Sequence, residues 1–212
     1  MRFRAILYVS AAAAVVYLFS AGWPVGIRAG LKGVPVGALV VVAVASRHVR
    51  RDALVLGLGL AFSTAGDVLL DLDPGLFVFG LGAFLLAHVT YISLFVRNRA
   101  PGVRLDPGRL AAVVAVVAAS ATLSAWIVPS VGELAVPVVV YIFAITAMVV
   151  AAILARFSRW WVAAGAVLFL ISDSLLAINR FKTPVPLRDV LVWSTYYLGQ
   201  CGIAVGYLES GR

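Results

Sequence analysis

Two carboxylates sit inside long apolar stretches of the chain: Asp67 in ALVLGLGLAFSTAGDVLL and Asp173 in WWVAAGAVLFLISDSLLAI. An ionisable side chain in the middle of a membrane-spanning helix costs roughly 2.5–3.5 kcal/mol on insertion scales and marks a functional site by default. The chain has nine acidic residues in all. Two of them at such positions point to acid/base chemistry or to a proton or ion path.

Other polar side chains share this apolar setting: His88, Tyr91, Tyr141, Tyr197 and Gln200. His88 with Tyr91, and Tyr197 with Gln200, are i,i+3 pairs, so each pair lies on one helix face. Ser63 and Thr64 precede Asp67 by four and three residues and fall on its face. Arg180 follows Asp173 by seven residues, two turns along the same stripe and about 10 Å toward the membrane surface by helix rise. Such a set can line one cavity. Each member also has a plainer reading: tyrosines pack in bundles, and His88 or Gln200 can bond one helix to another.

Several chemistries are excluded. A catalytic zinc site takes three protein ligands, and the only histidines are His48, in a basic loop, and His88; the single cysteine is Cys201. No metal and no cofactor are expected. There is no G-x-S-x-G elbow, no Walker loop and no dinucleotide fingerprint. What remains is two carboxylates with His, Tyr and Gln, a set suited to hydrolysis or to transport.

The elements that hold these residues must be membrane helices. Of the 212 residues, 63% are hydrophobic and 12% charged, with mean hydropathy +1.07; soluble domains carry about 25% charged residues. A span takes about 20 apolar residues. Eight runs qualify or nearly so, at about 5–21, 31–46, 53–72, 75–96, 109–128, 134–155, 160–179 and 189–208. The second is short and rich in Gly and Pro, and is expected to be tilted or partly irregular. The first follows MRFR and has some likeness to a signal peptide, but its apolar run exceeds the ~7–15 residues of a signal core, so it is read as a span. Breaks fall at Trp23-Pro24, Asp73-Pro74-Gly75, Pro101-Gly102, Asp106-Pro107-Gly108, Pro129 and Pro184-Val185-Pro186. The expected fold is all-α, a polytopic bundle of about eight transmembrane helices forming a single domain over residues 1–212.

Charge orients this bundle. With the N-terminus inside, the inner segments hold Arg2, Arg4, Arg47, Arg50, Arg51, Arg97, Arg99, Arg104, Arg109, Arg156, Arg159 and Arg212, which is 12 of the 17 basic residues. The positive-inside rule therefore favours both termini inside. A net charge of +8 is thus a topology signal, and no nucleic-acid partner is expected. The outer basic residues are Arg28, Lys32, Arg180, Lys182 and Arg188. Their side chains either snorkel to lipid headgroups or form a phosphate-binding rim, in which Arg28, Lys32, Arg180 and Lys182 are the candidates. Asp71 and Asp73 are expected to be interfacial and solvated. Trp23, Trp126, Trp160, Trp161 and Trp193 are expected in the interfacial aromatic belt. Gly66-Asp67-Val68-Leu69-Leu70 echoes Ser172-Asp173-Ser174-Leu175-Leu176, a weak sign of a four-plus-four repeat.

Taken together, these residues resemble the YhhN family of membrane proteins, the lysoplasmalogenases. The matching pieces run in order: Lys32 before an apolar helix, Gly66-Asp67-Val68-Leu69-Leu70, Phe84 with His88-Val89-Thr90-Tyr91, and Tyr141 with Met148. Then come Gly165-Ala166, Ser172-Asp173 with Leu176-Ala177 and Phe181, and Tyr196-Tyr197 with Gln200. The resemblance implies an eight-helix bundle that hydrolyses the vinyl ether of a lysoplasmalogen to a fatty aldehyde and a glycerophospho-alcohol. It also implies a lysophospholipid as substrate and Ser172 as a further site residue. The expected setting is a bacterial cytoplasmic membrane.

Vinyl ether hydrolysis fits two buried acids. One neutral carboxylic acid protonates the alkene carbon, and one carboxylate supports the oxocarbenium ion and activates water, the division of labour of paired carboxylates in glycosidases. A proton-coupled carrier of small molecules or lipids, using the same Asp67 and Asp173, is the alternative reading.

Overall fold

The computed structural model describes residues 2–99, 106–157 and 160–210, residues 2 and 3 by backbone alone. Arg104, Arg159, Arg212, the Arg2 side chain and the Pro101-Gly102 break lie outside the described residues. Among the described residues the elements are α1 (Arg2–Leu18), α2 (Val25–Ala45), α3 (Ala53–Leu72), α4 (Phe77–Arg97), α5 (Pro107–Ile127), α6 (Ala135–Leu154), α7 (Trp161–Phe181) and α8 (Arg188–Glu209), with three short 3-10 turns. The expected all-α fold of eight helices is the one observed.

Among the described residues six segments are long and apolar enough to cross a membrane: Val25–Ala45, Ala53–Leu72, Pro74–Arg97, Pro107–Ser130, Gly132–Leu154 and Trp161–Phe181. The apolar Arg4–Leu18 is shorter. The α8 helix is more polar because it carries Ser194, Thr195, Tyr196, Tyr197 and Gln200. Tyr196 and Gln200 are buried, so these groups are sheltered within protein.

Local chemistry sets the boundaries. Asp106 caps α5, its carboxylate accepting from the Arg109 amide at 2.9 Å, with Pro107 in the first turn where no amide donor is needed. At the end of α3, Asp73 accepts from the Gly75 amide at 2.6 Å and stays exposed.

The second helix departs from expectation. It is regular over 21 residues and starts at Val25, although Pro35 lies within it. Two of its glycines, Gly33 and Gly37, face α3. A Cβ at Gly33 would lie 3.0 Å from Val68 Cγ2 and 3.4 Å from Thr64 Cγ2, so α2 and α3 approach closely there. The Ser10 hydroxyl of α1 donates to the Pro35 carbonyl at 2.8 Å, tying the first helix to the second where the proline interrupts the bonding pattern.

The chain forms two compact units, Met1–Leu94 with Tyr207–Arg212, and Phe95–Gly206. In the first, α3 packs on α4 in antiparallel register: the Tyr91 ring fills the space beside Gly59, the Phe84 ring that beside Gly66, and Leu70 that beside Gly80. In the second, α7 meets α8 backbone to backbone. A Cβ at Gly165 would lie 2.6 Å from the Gly199 carbonyl oxygen, and one at Gly202 would lie 2.9 Å from Gly165 Cα. In lipid no hydrophobic force drives helices together, so small residues that let backbones touch supply the packing energy.

Each unit holds one of the two intramembrane aspartates on a helix fixed in this way. Asp67 lies next to Gly66, and Asp173 lies two turns beyond Gly165 on α7.

Candidate active site

In the first unit Asp67 is 3% exposed. Its neighbours on α3 divide their roles. Ser63 is fully buried, while the Thr64 hydroxyl donates to the Leu60 carbonyl at 2.9 Å and so serves its own helix. His88 and Tyr91 are both fully buried on α4. The register that sets Tyr91 beside Gly59 and Phe84 beside Gly66 brings His88 level with the turn around Ser63, one turn from Asp67.

Asp71 was expected to be solvated, and the structure corrects this. Its side chain is 5% exposed. Arg28 grips it with two parallel bonds, Nε to Oδ2 at 2.8 Å and Nη2 to Oδ1 at 2.7 Å. The Tyr17 hydroxyl donates to Oδ1 at 2.8 Å, and Lys32 Nζ stands 3.5 Å away. Lys32 also lies 5.6 Å from the centroid of the Tyr17 ring. Three helices therefore meet on one carboxylate. The sequence signal was present: Arg28 and Lys32 are an i,i+4 pair of cations on an apolar helix, and buried charges need a counter-charge. A second run starting at about residue 31 leaves Arg28 outside the helix and hides the pair.

In the second unit the Tyr141 hydroxyl, on α6, donates to Asp173 Oδ2 at 2.5 Å. The adjacent Ser172 donates to the Val192 carbonyl at 2.9 Å, a bond from α7 to α8. Gln200 is fully buried. Trp193, expected in the interfacial belt, is instead 4% exposed and stacks on Tyr197 with centroids 6.2 Å apart. Its polar ring edge is sheltered by protein because α8 is packed rather than lipid-facing at this turn. Trp23, Trp126, Trp160 and Trp161 are exposed near helix ends.

The other two headgroup candidates are also in this unit. Lys182 donates to the Ser130 hydroxyl at 2.5 Å and lies over the Trp126 ring at 5.4 Å. Arg180 is exposed in the last turn of α7. Among the described residues no three His, Cys, Asp or Glu side chains come together as metal ligands would.

The arrangement defines a class: a polytopic helical membrane protein with a buried carboxylate at Asp67, a tyrosine-bonded one at Asp173 and a cation-paired one at Asp71. Within that class the chain belongs to the YhhN family, which it matches over residues 27–207, as the resemblance read from the sequence implied. It is similar to the protein named lysoplasmalogenase of Mycobacterium tuberculosis, with 41% identity over 178 residues, covering 80% of this chain and 67% of the relative. Human lysoplasmalogenase TMEM86A is 34% identical over 162 residues, 72% of this chain and 64% of the relative. Mouse lysoplasmalogenase TMEM86B is 30% identical over 188 residues, 88% and 78% of the two chains. No solved structure matches. Asp67, Asp71, His88, Tyr141, Asp173 and Gln200 all fall inside the family match, while Tyr17 on α1 precedes it.

Proposed function

We propose that this chain is a lysoplasmalogenase-type hydrolase, cleaving the vinyl ether of an alkenyl lysophospholipid with a choline or ethanolamine headgroup. The observation that carries the reading is its 41% identity, over 80% of its length, with a mycobacterial protein of that name. The names of the relatives favour hydrolysis over proton-coupled transport, the other use of buried acids.

Asp67 and Asp173 are the two acids assigned to the reaction. In its first step a protonated carboxyl gives its proton to the alkene carbon remote from the ether oxygen, leaving an oxocarbenium ion and a carboxylate. Water then adds to the carbon bearing oxygen, losing its proton to a carboxylate. As the resulting hemiacetal breaks its bond to the glycerol oxygen, that oxygen takes a proton from a carboxyl group and leaves as the alcohol, while the hydroxyl proton passes to a carboxylate and the former alkenyl chain departs as the aldehyde. The burial of Asp67 and the tyrosine bond to Asp173 support these roles. Desolvation makes a carboxyl a proton donor that water cannot quench. His88, Tyr91, Tyr197, Gln200 and Ser172 would orient the acids, the water and the chain, since buried polar groups act through fixed partners. Basic residues among Arg28, Lys32, Arg180 and Lys182 would take the headgroup phosphate. The proposed setting is a bacterial cytoplasmic membrane, with both termini on the cytoplasmic side. Release of fatty aldehyde from an alkenyl lysolipid by the purified protein in detergent is the test of this reading; no release at any lipid concentration overturns it.

A further inference from the structure

The cluster around Asp71 holds two cations and one carboxylate, and the contacts divide the cations unequally. Arg28 spends its fork on both oxygens of Asp71; that bidentate geometry is the strongest form of the pair. Tyr17 adds a donor to the same carboxylate. Lys32 has only the long 3.5 Å approach and the Tyr17 ring face, with its side chain 17% exposed. Its compact ammonium has three donors, and Arg28 has already met the charge of Asp71. With a single long contact to Asp71, Lys32 keeps donors that an incoming anion can take. The next carboxylate on this face, Asp67, lies one turn deeper on α3, about 6 Å by helix rise. That separation is comparable to the reach from a phosphorus to the ether oxygen at the other end of a glycerol unit.

We propose that Lys32 is the phosphate contact of the lysolipid site, and that Arg28, Asp71 and Tyr17 are positioning residues that hold it. The ligand is the phosphodiester of a single-chain lipid; the proposal rests on the lysolipid reading above. Arg28 does not touch the phosphate. It keeps Asp71 from claiming Lys32, and α1 joins the site through Tyr17 although the family match begins only at residue 27.

The test is equilibrium binding of 1-O-alkyl-glycerophosphocholine, which lacks the double bond and is not cleaved, to the purified full chain in detergent. Lys32→Gln should weaken binding roughly tenfold or more, the scale of a charge-assisted hydrogen bond, and Lys32→Arg should recover most of it. A phosphate-free 1-O-alkylglycerol should bind the wild type and Lys32→Gln alike. Arg28→Gln should weaken phospholipid binding, because Asp71 then takes Lys32. The double variant Arg28→Gln with Asp71→Asn should restore binding to within about threefold, since both partners of one pair are removed. A double variant as weak as Arg28→Gln would mean that Arg28 itself touches phosphate, overturning this division of labour. Equal losses for both probes would reduce Lys32 to a structural role. Displacement of the lipid by millimolar inorganic phosphate as readily as by the lipid itself would make this a free-phosphate site. Failure of the wild type to bind the alkyl probe overturns the lipid site. A chain that shows the Lys32 pattern yet releases no aldehyde from an alkenyl lysolipid keeps this site and loses the hydrolase reading.

Discussion

Tyr141 and Asp173 are joined across the contact of α6 with α7 by a hydrogen bond of 2.5 Å. Tyr141 is 8% exposed. Asp173 is half-buried, and the phenol fixes its rotamer. Ser172, the preceding residue, is pinned to the next helix through the Val192 carbonyl. The acid is thus held from both sides of its helix.

Tyr141→Phe removes that donor and keeps the ring. A hydrogen bond to a charged group contributes about 1.5–3 kcal/mol, so kcat for aldehyde release should fall roughly 10–100-fold. KM should change little, because the phenol orients an acid rather than binding lipid. Steady-state kinetics on an alkenyl lysolipid checks this. A change confined to KM would move Tyr141 into substrate binding.

The backbone contact of α7 with α8 makes a stability prediction. A Cβ at Gly199 would lie 2.8 Å from the Gly165 carbonyl oxygen and 3.0 Å from the Phe169 amide nitrogen. Backbone cannot rotate away, so Gly199→Ala should destabilise by at least the ~1–3 kcal/mol typical of overpacking. It should also lower the thermal midpoint in detergent. Gly82→Ala is the control: nothing lies within 4 Å of a Cβ there, and its midpoint should match or slightly exceed the wild type. Equal midpoints for Gly199→Ala and Gly82→Ala would contradict the close approach.

Orientation follows from charge. The eight expected spans would put 12 of the 17 basic residues on the N-terminal side, so both termini should face the cytoplasm. Single cysteines introduced near each end into a Cys201→Ser background should resist a membrane-impermeant thiol reagent in intact cells and react after permeabilisation. Labelling of the C-terminal cysteine in intact cells would reverse the orientation and put the Lys32 end of α2 on the cytoplasmic side.

Much of the fold was legible because membrane helices announce themselves by length and hydropathy. The expected run at 53–72 coincides with α3, and those at 109–128 and 134–155 differ from α5 and α6 by one or two residues. The second helix reads as irregular from sequence because Gly and Pro break helices on average. Here Gly33 and Gly37 let α2 meet α3 at Val68 and Thr64, information that resides in another helix. The site was legible in the same partial way. An acid deep in an apolar run, such as Asp67, stands out on its own. Asp71 did not, because it sits beside Asp73-Pro74-Gly75, where a solvated reading is the natural one. Only the i,i+4 cations of α2, once seen as helical, reveal its partners. Trp193 shows the same limit: a tryptophan near a span end faces lipid or protein according to what packs against it, and its own sequence neighbours do not say which.

The proposed reaction rests on two intramembrane aspartates, and one measurement tests their roles most directly. Aldehyde release from an alkenyl lysolipid is followed for purified wild type, Asp67→Asn and Asp173→Asn, each first shown to keep its helical content and elution volume. General acid catalysis contributes roughly 10²–10⁴-fold, so each variant should lose at least about a hundredfold in kcat. Near-normal turnover by either folded variant would contradict the paired-aspartate account.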